Sequence, residues 1–466
     1  MQIVLAQTKY KTGDFEYNYK QISEQINLNQ FDLIIFPDVE DLGEKDLNYD
    51  EKYLADLNNF YEQIANNHPN KTILIGQILI KNGEIELTED GFYEINNECV
   101  YVDDIYRDDV VCDLYVLSKN KYFVKDTYRT FVESINTRNH FIYINAVAMT
   151  DCNIFAGGSF VKNKDNELVL HYPICKTYTE EIDLTKIIKF KESCEEELIY
   201  EVLTFALREY CENCGFKKVV LGLSGGVDSA IVAALAAQSI GSENVLGVMM
   251  PSMYSSEGSI TDSEKLAKNL GIQITTETIT PFFEKFMENK ENLGDLAEEN
   301  LQARIRGLIL MFISNRDNRL LLCTSNKSEA AMGFGTLYGD LAGGLNIICD
   351  LTKTNIYKLC NYINRDKEII PNEILTKAPS AELRPNQKDQ DRLPEYAILD
   401  DVIEMYLEKN TPYEVMYNKY GKELVDEIIK KIYRFQFKRK QNCLGVRITE
   451  RSFCEGINLP IMQRYY

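Results

Sequence analysis

The 466-residue sequence has no tryptophan, only three histidines (His68, His140 and His171) and no apolar run of transmembrane length. Three histidines leave little room for imidazole acid–base chemistry or for a histidine-based metal centre. Without some twenty consecutive apolar residues there is no helical membrane span, and the opening stretch MQIVLAQTKY carries no signal-peptide pattern. An excess of positive charge is also missing. The formal net charge is −21, so an extended nucleic-acid-binding face is excluded. A small anionic substrate is still allowed, because local lysines, backbone N–H groups and magnesium can meet it. No Pro/Gly-rich linker, internal repeat or low-complexity tract interrupts the chain. Twelve cysteines with no secretory signal read as reduced thiols of a cytoplasmic protein. Cys211 and Cys214 form a CxxC with no second pair at zinc spacing, which reads as two helix thiols.

What is present is ordinary globular material, 45% hydrophobic and 26% charged, long enough for two or three domains. Residues 1–190 alternate short β-type runs with helical stretches: Gln2–Ala6, Leu33–Phe36, Thr72–Ile75, Asp113–Leu117 and His140–Asn145 as strands. A charged amphipathic helix over 191–210 opens a second domain, giving domains 1–190 and 191–466. From 217 onward strand and helix patterns alternate. Strands are expected to 223 and over Val245–Met250, Gln273–Ile279 and Leu320–Ser325; helices to about 240 and over Ser259–Leu270 and Ala297–Asn315. That alternation predicts an α/β fold with a doubly wound parallel sheet and a ligand site at the strands' carboxyl ends.

The most informative stretch is Leu221-Gly-Leu-Ser-Gly-Gly-Val-Asp-Ser-Ala230. It joins a buried strand to a helix through two glycines. Such a turn brings backbone N–H groups and the positive end of a helix dipole to a phosphate. The Walker spacing Gly-x4-Gly-Lys-Ser/Thr is absent. The segment matches instead the Ser-Gly-Gly-x-Asp-Ser loop of ATP pyrophosphatases, which split ATP into AMP and pyrophosphate.

Over essentially all of 195–466 the chain resembles the NAD synthetases. The stretches that carry this are MMPSMYSSEGSITDSEKLAKNLGI (249–272), EENLQARIRG (298–307), TSNKSEAAMGFGTLYGDLAGG (324–344), PSAELRPNQKDQDRLPEY (379–396) and FKRKQ (437–441). The resemblance implies an adenine nucleotide alpha hydrolase-like sheet and an ATP-dependent amidation of deamido-NAD through an adenylate. It assigns ATP to Ser224, Gly225, Gly226, Val227, Asp228, Ser229, Thr324, Lys353 and Ser380, with Asp228, Ser229 and Lys353 as the catalytic set. Asp228 and Glu329 become the Mg2+ ligands. Asn300, Arg304, Glu329, Asp340, Lys438 and Arg439 become the deamido-NAD contacts. Duller roles are weighed beside these: a turn for Asp340, a solvated basic face for Lys438–Lys440, surface positions for Glu329 and Lys353. At Leu337 the chain has the apolar residue of the long, glutamine-using members. The polar segment 381–396 reads as a mobile loop closing over the adenylate.

Residues 1–190 resemble, in order, the nitrilase-like amidase domain of those long members, in reduced form. The stretches are IVLAQ (3–7), DLIIFPDVEDL (32–42) and FIYINAVAMTDCNIFAGGSFV (141–161). Such amidases need a Glu base, a Lys and a Cys nucleophile. The Glu position is Asp38, one methylene shorter, with Glu40 nearby; the Lys loop is missing between Gly83 and Glu98, and the alignment of Tyr101-Val-Asp-Asp-Ile-Tyr106 puts Val102 where the cysteine belongs. Cys99 and Cys112 flank that block. The reading is an inactive amidase domain on an ammonia-using synthetase that assembles as a homodimer or larger homo-oligomer. Two alternatives stand beside it. One is glutamine dependence, through an atypical cysteine or a separate glutaminase; the other is a regulatory protein with a vestigial nucleotide site.

Overall fold

A computed structural model describes residues 1–40, 47–191, 193–291, 296–385 and 387–465. The chain divides into two compact units, Met1–Val202 and Leu203–Tyr466. Among the described residues no helix is long and apolar enough to cross a membrane.

The first unit has strands β1 (Ile3–Gln7), β2 (Leu33–Phe36), β3 (Thr72–Ile75), β4 (Ile78–Lys81), β5 (Glu84–Glu86), β6 (Phe92–Ile95) and β7 (Glu98–Asp103). These are followed by β8 (Leu114–Ser118), β9 (His140–Ile144), β10 (Val147–Thr150), β11 (Asn153–Ala156), β12 (Phe160–Lys162), β13 (Leu168–His171) and β14 (Tyr178–Glu181). Its helices are α1 (Phe15–Leu28), α2 (Glu51–Asn67) and α3 (Tyr128–Ser134). Two six-stranded sheets, β14-β1-β2-β3-β4-β5 and β13-β12-β9-β8-β7-β6, form a sandwich, with β10–β11 as a separate hairpin.

The period-2 geometry of a strand explains the layering. Ile3, Leu5, Leu33, Ile35 and Leu74 of one sheet meet Val100, Val102, Leu114, Val116 and Ile142 of the other. The alternate residues Val4, Ala6, Ile34, Phe36 and Ile73 face Ile22, Ile26, Phe60 and Ile64 of α1 and α2. Strands buried on both faces read as unbroken hydrophobic runs, and for that reason LIIF and TILI are legible in the sequence. The hairpin strands β4–β6 and β10–β14 are not foreseen. They are short, and several (Glu84–Glu86, Tyr178–Glu181) expose charged residues that periodicity assigns to loops. The unit is thus richer in antiparallel β than the alternating pattern suggests.

Helix α4 (Glu195–Asn213) starts later and runs farther than the expected 191–210. The second unit then has strands β15 (Val219–Leu223), β16 (Val245–Met249), β17 (Gln273–Thr276), β18 (Leu320–Cys323) and β19 (Leu345–Asn346). Its helices are α5 (Val227–Ile240), α6 (Glu257–Leu270), α7 (Thr280–Met287), α8 (Leu296–Asp317), α9 (Lys327–Met332), α10 (Lys353–Ile363), α11 (Asn372–Thr376), α12 (Tyr396–Ile403), α13 (Tyr413–Tyr420), α14 (Lys422–Arg434) and α15 (Gln436–Arg439).

The sheet order is β17-β16-β15-β18-β19, all neighbours parallel. The chain steps outward from β15 to β16 and β17, then returns to the other side of β15 with β18. The switch point therefore lies at the carboxyl ends of β15 and β18, where the Ser-Gly-Gly loop and Thr324 emerge. β17 ends three residues earlier than expected because Pro281 lies in the first turn of a helix the sequence reading missed, α7. Helix α5 is apolar on nearly all sides, VDSAIVAALAAQSI, as a helix enclosed by sheet and helices must be.

Candidate active site

Gly225 has φ +74°, and a Cβ there would lie 2.5 Å from the Ser259 carbonyl oxygen. Glycine is required on both counts: the left-handed backbone and the close approach of α6. The loop is braced internally. Ser224 Oγ and Ser229 Oγ lie 3.1 Å apart, Ser229 Oγ donates to the Gly226 carbonyl (3.1 Å), and Gly226 N donates to Ser224 Oγ (3.2 Å). Gly226 is the N-cap of α5 and offers no side chain to it. The first-turn N–H groups of a 14-residue helix are thus left without a side-chain cap at the wall of a cavity of about 270 Å³.

Across that cavity stands Lys353, the first residue of α10, only 2% exposed. Its Nζ donates to Asp228 Oδ2 (2.5 Å) and to Glu329 Oε1 (3.4 Å). Burial alone would lower the Lys353 ammonium, but Asp228 and then Glu329 outweigh it and hold the pKa above the ordinary lysine value. Glu329 goes the other way. Burial first, and the neighbouring Asp228 second, push its carboxyl up to about 8. The surface reading of Lys353 and Glu329 fails here, because their charges face each other inside the cavity. Thr324 and Ser380 also line it, and Ser380 Oγ accepts from Glu382 N (3.2 Å).

The remaining expected ligands are spread more unevenly. Asp340 lines the cavity, its Oδ1 accepts from Thr336 N (2.6 Å), and burial raises its pKa. Asn300 Oδ1 accepts from Thr336 Oγ1 (2.8 Å), and Arg304 Nε donates to the Leu337 carbonyl (3.2 Å). Lys438 Nζ bonds the carbonyls of Gly333 and Gly335 (2.8 and 2.7 Å). Arg439 does not fit the phosphate-binding role expected of it. It is 7% exposed, and its guanidinium bonds Gln436 Oε1 and the carbonyls of Ala330, Ala331 and Ile432. Four of its five N–H donors are thus committed to packing α15 onto α9 and α14, and it does not line the cavity.

Several site residues escaped the sequence reading. Arg306 lines the cavity beside Asp340, its Nε on the Met250 carbonyl (3.1 Å), and burial brings its guanidinium down to about 10. Its spacing from Gln302 and Leu310 along α8 was the available signal. Asn326 bonds Asp228, and the pattern Asn326-x-x-Glu329 is a capping box visible in the sequence.

Segment 381–396 is less loop-like than expected. Gln387, Asp389 and Leu393 are buried, and Glu382 accepts from Ser256 N, Ser256 Oγ and Lys377 Nζ at 3.2, 2.8 and 3.1 Å. Of its polar residues Glu382 and Asp389 line the cavity, while Lys388, Gln390, Asp391, Arg392 and Glu395 are exposed. Asn386, within this segment, lies outside the described residues, as do the last two residues of the 32–42 stretch.

In the first unit, Asp38 Oδ1 accepts from Glu40 N (2.7 Å) and the Asp38 carbonyl accepts from Asn120 Nδ2 (2.6 Å). Val102 sits on β7 in the inter-sheet core, 3% exposed. Burial raises the Cys99 thiol and pushes Cys112 up to about 12, the opposite of the depression that activates a cysteine nucleophile. No disulfide joins the cysteines among the described residues.

A glycine loop at a parallel-sheet switch point, facing a lysine held between two carboxylates, defines a nucleotide-binding domain of the ATP pyrophosphatase type. The family model of NAD synthase matches residues 199–442, and the chain belongs to the NAD synthase family. It is similar to the glutamine-dependent NAD(+) synthetase of Synechocystis sp., 42% identical over 340 residues, covering 70% of this chain and 61% of that protein. That of Thermotoga maritima is 45% identical over 278 residues, covering 58% and 48%. The chain thus spans less than two thirds of these relatives' length.

Among solved structures, the glutamine-dependent NAD+ synthetase of Acinetobacter baumannii, in complex with ADP, covers 99% of this chain and 98% of its own, at 27% identity and TM-score 0.73. That of Cytophaga hutchinsonii covers the same shares at 17% identity and TM-score 0.82, a likeness of fold. The first unit accordingly has the nitrilase-like α/β sandwich.

The donor set also fits magnesium. Asp228 and Glu329 both face the cavity beside Lys353 and supply hard carboxylate oxygens. Among the described residues no group of three or more His, Cys, Asp or Glu side chains has metal-holding geometry. Two protein ligands, with phosphates and water for the rest, is the arrangement magnesium favours.

Proposed function

We propose that this chain is an ATP-dependent NAD synthetase that amidates deamido-NAD, a carbon–nitrogen ligase using free ammonia. The nicotinate carboxylate attacks the ATP α-phosphate and pyrophosphate leaves. Ammonia then attacks the acyl carbon of the adenylate and AMP leaves. The observation that carries this reading is the Asp228–Lys353–Glu329 set facing the uncapped N-terminus of α5. Ser224, Gly225, Gly226, Val227 and Ser229 receive the departing pyrophosphate with backbone N–H and hydroxyl donors, and Lys353 offsets its growing charge. Thr324 and Ser380 border the nucleotide. Asn300, Arg304, Asp340 and Lys438 border deamido-NAD; Arg439 acts only by placing α15. Asp228 and Glu329 would hold Mg2+, which when bound neutralises phosphate charge. Segment 381–396 would shield the adenylate from water.

The choice of ammonia rests on the first unit. The relatives are named glutamine-dependent, yet here the nucleophile position is a buried valine, Asp38 closes a turn on itself, and neither Cys99 nor Cys112 has a depressed pKa. The test supplies deamido-NAD, ATP and magnesium with either ammonium or glutamine. NAD formed with ammonium and not with glutamine is the expected result. Equal turnover with glutamine would overturn the ammonia reading, and a Cys99→Ala, Cys112→Ala double variant would then locate the activity. No turnover with either donor would favour a regulatory nucleotide-binding protein, and turnover with glutamine only after adding a separate glutaminase would identify a partner.

A homodimer is proposed as well. It is supported by the face of α8 that leaves Leu308, Met311 and Phe312 exposed, an apolar stripe at helical spacing that a second copy would cover.

A further inference from the structure

The carboxylates Asp228 and Glu329 come from different helices and repel each other, so something other than their own packing must fix their separation. Asn326 is fully buried and lies between them, at the N-cap of α9. Its Oδ1 accepts from Glu329 N (2.9 Å), its Nδ2 donates to Asp228 Oδ1 (3.0 Å), and its backbone N donates to Glu329 Oε2 (3.2 Å). The amide orientation is determined by this network, since only an oxygen can take the Glu329 N–H. The nitrogen is thereby aimed at Asp228. Lys353 binds the other oxygen of each carboxylate. All four oxygens are thus held by donors, each using one of its lone pairs.

We propose that Asn326 is a positioning residue that sets the Asp228–Glu329 pair at the spacing a divalent cation needs, acting through both carboxylates without touching substrate. The assignment rests on the nucleotide-and-cation reading of this site.

Serine caps a helix about as well as asparagine but is too short to donate to Asp228, whereas alanine does neither. Asn326→Ser and Asn326→Ala therefore separate capping from positioning. The full-length protein would be titrated with Mn2+ in the presence of ATP, bound Mn2+ being read by electron paramagnetic resonance. Both variants are expected to weaken Mn2+ binding about tenfold, as loss of a partner to a ligand does. Only Asn326→Ala should also lower Tm, by about 2–4 °C. Parent-like Mn2+ affinity in Asn326→Ser would overturn the proposal, leaving Asn326 a cap alone; so would a parent protein that binds no Mn2+ with ATP. The expected Mn2+ pattern in a protein that forms no NAD would support the assignment and refute only the activity proposed above.

Discussion

Lys353 shows how much one side chain's surroundings decide. In isolation a lysine is a surface residue; here it neutralises two carboxylates in a cavity wall, and removing it leaves them uncompensated. Lys353→Met should lower the rate of NAD formation at saturating ATP by at least about 100-fold. The measurement is steady-state turnover with ammonium, alongside a Tm that shows the fold intact. Gly225→Ala should be equally damaging by another route. Its Cβ cannot coexist with the Ser259 carbonyl, so ATP affinity should fall as the loop and α6 part, which equilibrium nucleotide binding would show. His171 gives a pH prediction. Burial against Phe190, with Tyr128 Oη 3.0 Å from its Nε2, lowers its pKa to about 4. A histidine kept neutral in the folded state leaves stability untouched above its unfolded pKa of about 6.5 and erodes it as pH falls from there toward 4. The loss is on the order of 2 kcal/mol after discounting for partial exposure. Tm measured from pH 7 to pH 4 should fall more steeply for the parent than for His171→Gln.

Among the elements, those buried on both faces were the most legible. β2, β3, β15, β16 and β18 are largely apolar runs, and α8 follows its expected span to within two residues, whereas α5 starts at Val227, inside the glycine-loop motif and ahead of the Ile231 run that marked it. Short hairpin strands and α7 were hidden because they give no long periodic run: β10 and β12 have four and three residues, and the eight-residue α7 leaves Phe282 and Phe286 exposed. The site was legible where it is contiguous, as in Ser-Gly-Gly-Val-Asp-Ser. It was less so where it depends on what a side chain meets in three dimensions: the carbonyls that absorb Arg439, or the inward turn of Asp389. Tyr396 Oη donates to Asp389 Oδ2 (2.7 Å), while Asp389 Oδ1 has no hydrogen-bond partner among the described residues. Helix α8 carries the prediction at this scale. Leu308→Glu combined with Phe312→Glu places charge on its exposed stripe and should shift the protein from dimer to monomer in light scattering after size exclusion, with the α/β far-UV spectrum retained.

At the scale of the whole molecule, a nucleotide-binding unit is joined in one chain to a nitrilase-like sandwich that is well packed. The twofold layering of that sandwich, helices outside and a shared core between two sheets, needs no catalytic residue to be stable. The position of Val102 in the inter-sheet core also bears on the proposed absence of amidase chemistry. A cysteine introduced there would be one more thiol embedded among Leu5, Leu33 and Val116, protonated like Cys112 and without a lysine loop beside it. On the proposed reading, a Val102→Cys substitution would not by itself supply an amidase nucleophile.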